Sequence, residues 1–252
     1  MSQHLHLDPF AGIAGDMFIG ACVDLGVSLD DLAAALAPLA FDRPYELSAE
    51  PTMRQGIAGI DFRVIVDDPA LGADDHHHHH HHTHYHDIVA MVDALDAGAR
   101  AKQRARAIVD KLAAAEAAVH GIAVERVHFH EVGAVDSIVD MLGAAVALEL
   151  LDVGTLSSGP LPIGSGFVRC AHGMMPLPAP ATAELLKDVS TVGVDRQVET
   201  VTPTGAAIVA ALADEVGPQP AMTIGAVGYG AGDRDDPDTP NLLRVMIGQR
   251  DG

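Results

Sequence analysis

Seven consecutive histidines, His76, His77, His78, His79, His80, His81 and His82, lie a third of the way along the chain, with His84 and His86 close behind. Neutral imidazole favours late first-row divalent metals, nickel, copper and zinc, over magnesium or calcium. A polyhistidine stretch cannot build a packed core, so it reads as a flexible, solvated chelator with many overlapping sites. Metal handling is therefore the leading chemistry, whether the metal is stored, delivered or used.

A second dense patch runs His128-Phe129-His130-Glu131-Val132-Gly133-Ala134-Val135-Asp136-Ser137-Ile138-Val139-Asp140. If residues 127–131 are extended, His128 and His130 share a face. If a helix starts near Ala134, Asp136 and Asp140 stand one turn apart on the same side. Such a segment offers imidazoles and carboxylates to one metal or metal–nucleotide site; the bland alternative is a capped helix with surface acids and one core histidine.

Weaker signals surround it. The turn Asp8-Pro9-Phe10-Ala11-Gly12-Ile13-Ala14-Gly15-Asp16 joins a short strand to a helix, a junction whose N–H groups suit an anion such as phosphate, with Gly12, Gly15 and Asp16 as candidates. It lacks the lysine of a P-loop, and Asp16 could equally be a helix N-cap. Asp8, at the carboxyl end of its strand, is expected to face a binding crevice. Thr202 and Thr204, and Gly230 with Arg234 in a glycine-rich loop, could hold phosphate oxygens, although turn chemistry explains both segments as well. Cys170 and His172 could ligate a soft metal or pair as nucleophile and base, yet ordinary packing of a cysteine is the simpler reading.

The elements that must position these residues alternate. A strand at 4–7 precedes helices at 16–25 and 29–36, and a hairpin is expected from 45–52 and 57–66. After a His-rich flexible loop at about 72–86, helices follow at 87–95, 99–119 and 134–151, with a Pro- and Gly-rich loop region at 159–180. Short helices at 180–187 and 204–216 and a final strand at 242–247 complete an α/β or α+β fold, a mixed sheet with flanking helices in one domain over 1–252. Thirty-five acidic against fifteen basic residues, a net charge of −20, repel phosphate backbones and anionic membranes, so neither nucleic acid nor a membrane is an expected partner. Two cysteines, and no basic leader or long apolar run, indicate a soluble cytoplasmic protein with reduced thiols.

Taken in order, DPFAGIAGDMFIGACVDLG, the His-rich loop, HFHEVGAVDSIVDMLGAA, CAHGMMPLPAPATAELL, TPTGAAI and GYGAGDRDDPDTPNLLRVMIG resemble the LarC family of nickel-insertion proteins. The resemblance implies a lyase-type cyclometallase in cofactor biosynthesis. Such an enzyme inserts Ni²⁺, the substrate metal, into pyridinium-3,5-bisthiocarboxylic acid mononucleotide to make the nickel-pincer nucleotide of lactate racemase-type enzymes. It also implies consumption of CTP with Mg²⁺ or Mn²⁺. Family members commonly continue into a C-terminal nucleotide-binding region that is absent from this chain, so a separate CTP-binding partner chain is expected, along with a homo-oligomer. The histidines of 76–86 would collect nickel and pass it to a site of His128, His130 and Glu131 with Asp136, Asp140, Asp8 or Asp16, with His130 or Glu131 as base for the ring proton. Phosphate would rest on the loops of Gly12, Gly15, Asp16, Thr202, Thr204, Gly230 and Arg234. A non-catalytic nickel store or metallochaperone is the alternative, and a zinc- or manganese-dependent hydrolase the third reading.

Overall fold

The computed structural model describes residues 2–66, 83–129, 132–170, 173–234 and 236–250. β1 (Gln3–Asp8) leads through a tight loop into α1 (Gly15–Asp24), and α2 (Leu29–Leu36) follows, capped by the Ser28 hydroxyl. β2 (Tyr45–Arg54) and β3 (Ile57–Val66) form the expected hairpin around Gln55 and Gly56, both at positive φ. β4 (Thr83–His84) runs directly into α3 (Tyr85–Ala94), then come α4 (Ala99–His120), β5 (His128–Phe129) and α5 (Val135–Leu150). The rest comprises β6 (Val153–Ser158), β7 (Leu161–Ile163), the hairpin β8 (Phe167–Cys170) and β9 (Gly173–Pro176), α6 (Pro180–Leu185), β10 (Thr191–Gly193), α7 (Pro203–Leu212), β11 (Glu215–Val216), β12 (Met222–Ala231) and β13 (Leu242–Arg250).

Seven strands join in the order β11–β6–β1–β13–β12–β3–β2, the mixed sheet with flanking helices that the sequence predicts. β1 pairs parallel to β6 and antiparallel to β13. Alternation along β1 sends Leu5 and Leu7 into the core with Val245 and Ile247 of β13. His4 and His6 take the other face, where their rings bond Thr155 and Ser157 of β6 at 2.8–2.9 Å. α5 lies at the centre because it is apolar around nearly its whole circumference: Ile138, Val139, Met141, Leu142 and the run from Ala144 to Leu148 are all buried. α4 buries Ile108, Val109 and Leu112 and packs against α5 and α7.

α1 reaches the sheet more closely than side chains would allow. A Cβ on Gly230 would lie 1.8 Å from the Met17 carbonyl oxygen, and one on Gly20 would lie 2.6 Å from that of Ile60. Four expectations need correction here. Gly228 and Gly230 belong to a strand, β12, pressed on α1, and not to a phosphate-holding loop. The segment 159–180 contains two hairpin strands, and the helix expected to Val216 ends at Leu212, with Glu215 and Val216 forming β11. His84 and His86 sit inside β4 and α3, because a reciprocal cap between His84 and Asp87 starts the helix at Tyr85. The run His76–His82 lies outside the described residues. Among the described residues no helix is long and apolar enough to cross a membrane.

Candidate functional site

Three helices turn their amino ends toward one cleft of about 310 Å³. α1 contributes Ala14 and Asp16, α5 contributes Ser137 and Asp140, and α7 contributes Thr202, Pro203 and Thr204. Val132, Ala179 and Glu199 complete the wall, with Val168, Arg169 and Cys170 from β8 across the opening. The positive ends of three helix dipoles and their first-turn N–H groups make the walls receptive to anionic groups.

The loop before α1 is held against the segment before α7. The Ile13 amide donates to the Thr200 carbonyl at 2.9 Å, and the Thr202 amide donates to that of Ile13 at 3.1 Å. Gly12 has φ +131°, and a Cβ there would stand 1.9 Å from the Thr200 oxygen. Gly12 therefore brings two loops together and is itself buried. Thr202 caps α7 through the Gly205 amide at 3.2 Å, and its hydroxyl lies 3.0 Å from that of Thr204.

The cleft floor is a pair of carboxyl groups from different helices. Ala14, the N-cap of α1, has no capping side chain. Asp140 of α5 accepts the Asp16 amide in its stead. A Cβ on Gly15 would meet the Asp140 Cβ at 2.5 Å, so glycine there lets the two helices close. Asp16 is the second residue of α1 and not its N-cap, and its Oδ1 accepts the Met17 amide at 2.8 Å. Burial, reinforced by Asp233 and Asp61, pushes the Asp16 carboxyl up to about 6. Burial and then Asp16 and Asp136 push Asp140 well above the usual carboxylate range.

The histidines gather beside this cleft. β4 and β5 place His84 opposite His128, with ring centroids 4.3 Å apart, and His86 stands 5.1 Å from His84. The Thr83 hydroxyl donates to the Gly133 carbonyl at 2.9 Å, one residue from Val132 in the cleft wall. Tyr85 fastens α3 to α4 by donating to Asp110 at 2.7 Å while accepting from Arg106 at 2.9 Å. Among the described residues no three His, Cys, Asp or Glu side chains converge to hold a metal ion, so His128, Asp136 and Asp140 do not meet as a ligand set by themselves. Asp136 is exposed and caps the Ser137 amide at 2.7 Å. His130, Glu131 and His172 lie outside the described residues.

Other candidates fall elsewhere. Asp8 is ion-paired to Arg244 on the sheet face opposite the core, away from the crevice it was expected to face. Arg234 lines a separate cleft of about 450 Å³ with Arg196, Thr239 and Asn241, and burial and Arg196 lower its guanidinium pKa. Asp195, Arg196, Gln197 and Val198 line that cleft, whereas Glu199 lines the cleft that holds Asp16 and Asp140. A larger groove of about 660 Å³ between α2 and β2 holds none of the residues singled out by sequence. Sequence reasoning missed Glu199, which lacks any local motif, while Ser137 lay inside the 128–140 patch with no role assigned to it.

The family model described as nickel insertion protein matches residues 5–252. A relative from Pelobacter propionicus named "Putative nickel insertion protein" is 51% identical over all of this chain and 62% of its own length. The pyridinium-3,5-bisthiocarboxylic acid mononucleotide nickel insertion protein of Geobacillus kaustophilus is 47% identical over 97% of this chain and 59% of its own. The chain thus spans about three fifths of the length of the curated relatives it matches. No solved structure matches it. With the model matched across nearly every residue, the chain belongs to the nickel insertion protein family.

Proposed function

We propose that this chain takes part in inserting Ni²⁺ into pyridinium-3,5-bisthiocarboxylic acid mononucleotide, holding both substrates at the cleft between α1, α5 and α7. The observation that carries the reading is the convergence of three helix amino ends on a cleft with a carboxyl floor. The amino ends suit the thiocarboxylates or the phosphate. The carboxyl floor suits the pyridinium cation and the incoming metal. Thr202, Thr204 and Ser137 are within the wall as hydroxyl donors, and Arg169 adds charge at the rim. Arg234, in the neighbouring cleft beyond the 195–199 segment, is placed to receive a phosphate that reaches past Glu199.

Nickel reaches the cleft through imidazoles. The run His76–His82 collects it, and His84 and His86, which follow that run in sequence, stand with His128 near the cleft wall. Nickel is cargo in this scheme, and the sulfurs of the precursor take it over from nitrogen. CTP with Mg²⁺ or Mn²⁺ drives the step in this reading. Its site belongs to the portion of the relatives beyond the matched three fifths, in the same polypeptide or in a partner chain. The assembly is a homo-oligomer working in the cytoplasm, where thiols stay reduced.

The test is a cofactor-maturation assay combining the purified chain, Ni²⁺, the nickel-free precursor and CTP with Mg²⁺, with and without the remaining portion of a relative. Product is read by mass and by activation of apo-racemase. We expect nickel-bearing product only when the remainder is supplied. No product in either mixture would overturn the assignment.

A further inference from the structure

We propose that the Asp16 carboxylate is the base that removes the ring proton as nickel enters, with Asp140 as the residue that positions it. The role rests on the insertion reading above. Thiocarboxylates at ring positions 3 and 5 flank carbon 4, so a nickel ion chelated by both sulfurs sits against that carbon. The electron pair of the carbon–hydrogen bond then becomes the carbon–nickel bond, and the proton passes to a carboxylate oxygen. Nickel remains divalent, and no oxidant or reductant is consumed.

Geometry favours Asp16 over the hydroxyl groups of the cleft. It is fixed in the first turn of α1, and Oδ1 is held by the Met17 amide at 2.8 Å. The carboxylate faces the cleft, and among the described residues no cationic or hydroxyl side chain is hydrogen-bonded to it. Thr202 is occupied in capping α7, and the hydroxyls of Ser137 and Thr204 are poor proton acceptors. Asp140 grips the Asp16 amide from α5, and the missing Cβ of Gly15 admits that grip.

Both carboxyls hold a proton more tightly than an ordinary aspartate. Burial pushes the Asp16 carboxyl up to about 6, and burial with Asp16 and Asp136 pushes Asp140 well above the usual carboxylate range. The charged groups facing them are Asp136 from α5, Asp61 and Arg63 from β3, and Asp233 after β12, with Glu199 and Arg169 at the cleft wall. A pyridinium cation entering this acidic surround aligns its most positive face with Asp16.

The experiment is single-turnover nickel insertion by wild type, Asp16→Asn, Asp16→Glu and Asp140→Asn, in the complemented mixture described above, using precursor carrying hydrogen or deuterium at carbon 4. Nickel and precursor binding are measured separately by calorimetry. We expect Asp16→Asn to slow insertion by about 10²–10⁴-fold, the usual worth of a general base, with both affinities nearly unchanged. Deuterium should slow the residual reaction, and Asp16→Glu should restore part of the rate. Asp140→Asn, which keeps an oxygen for the Asp16 amide, should cost less than Asp16→Asn. Insertion by Asp16→Asn at close to the wild-type rate would overturn the proposal. So would a loss that merely follows weakened precursor binding. Inert wild type would instead sink the insertion reading itself, and with it any ring-proton base.

Discussion

The Asp16 carboxyl occupies an environment that raises its proton affinity through burial, then through Asp233 and Asp61, against the pull of the Met17 amide. Its folded value of about 6 exceeds the 3.8 of an ordinary aspartate, so between these values the folded protein binds more proton than the unfolded chain. Stability contributed at this position is therefore highest at low pH and falls as pH rises from about 4 to about 6. Above that window the ionised group costs about 3 kcal/mol, following from 1.36 kcal/mol per pKa unit. We expect Asp16→Asn to unfold at a higher temperature than wild type at pH 7.5, with the difference shrinking below pH 5. Calorimetric melting across pH 4–8 checks this, and a lower melting temperature for the variant at pH 7.5 would show that Asp16 is a structural anchor. As the proposed base, Asp16 should give the insertion rate the opposite dependence. The rate should rise with pH through about 6 as Asp16 ionises, with no such step in Asp16→Asn.

At the scale of the element, the seat of α1 decides whether that carboxyl is aimed at all. β12 contains Gly225, Gly228 and Gly230, and it reads as a loop because it lacks the β-branched alternation that marks a strand. The glycines are there for the helix. At Gly230 an added methyl would meet the Met17 oxygen at 1.8 Å and the Ala21 nitrogen at 2.6 Å, both helix backbone that cannot swing aside. We expect Gly230→Ala to lower stability by about 3 kcal/mol or more in urea unfolding, at the upper end of overpacking costs. Gly217→Ala, which meets nothing within 4 Å, should stay within about 0.5 kcal/mol. Helices with strong apolar periodicity, such as Ala99–His120 and Val135–Leu150, were legible almost to their ends. The hairpin β8–β9 was hidden in a proline-rich stretch, and it supplies Arg169 and Cys170 to the cleft. The His84–His128 apposition was not legible, because it depends on pairing between segments far apart in sequence, whereas helical periodicity reports only near neighbours.

The whole molecule carries a net charge of −20, but ionic screening at physiological salt acts within about 8 Å, so bulk charge cannot guide a metal ion to one cleft. Covalent proximity can. The run His76–His82 joins directly to Thr83, and Thr83 is bonded to Gly133 at the edge of the cleft wall. Under the proposed scheme, nickel held on that run would be presented to His84 and His128 at a high effective concentration set by a few residues of tether. This arrangement separates capture from chemistry, and the two functions should come apart under mutation. Deleting residues 76–82 should reduce the nickel bound per chain and slow insertion at limiting nickel, yet leave the rate at saturating nickel close to that of wild type. Replacing His84 and His128 together by alanine should leave most of the bound nickel in place while slowing its transfer to the precursor. Bound metal is counted by elemental analysis and transfer by the mass of the product. A deletion that abolished insertion even at saturating nickel would place the run within the reaction, and the division between a collecting loop and a reacting cleft would have to be abandoned.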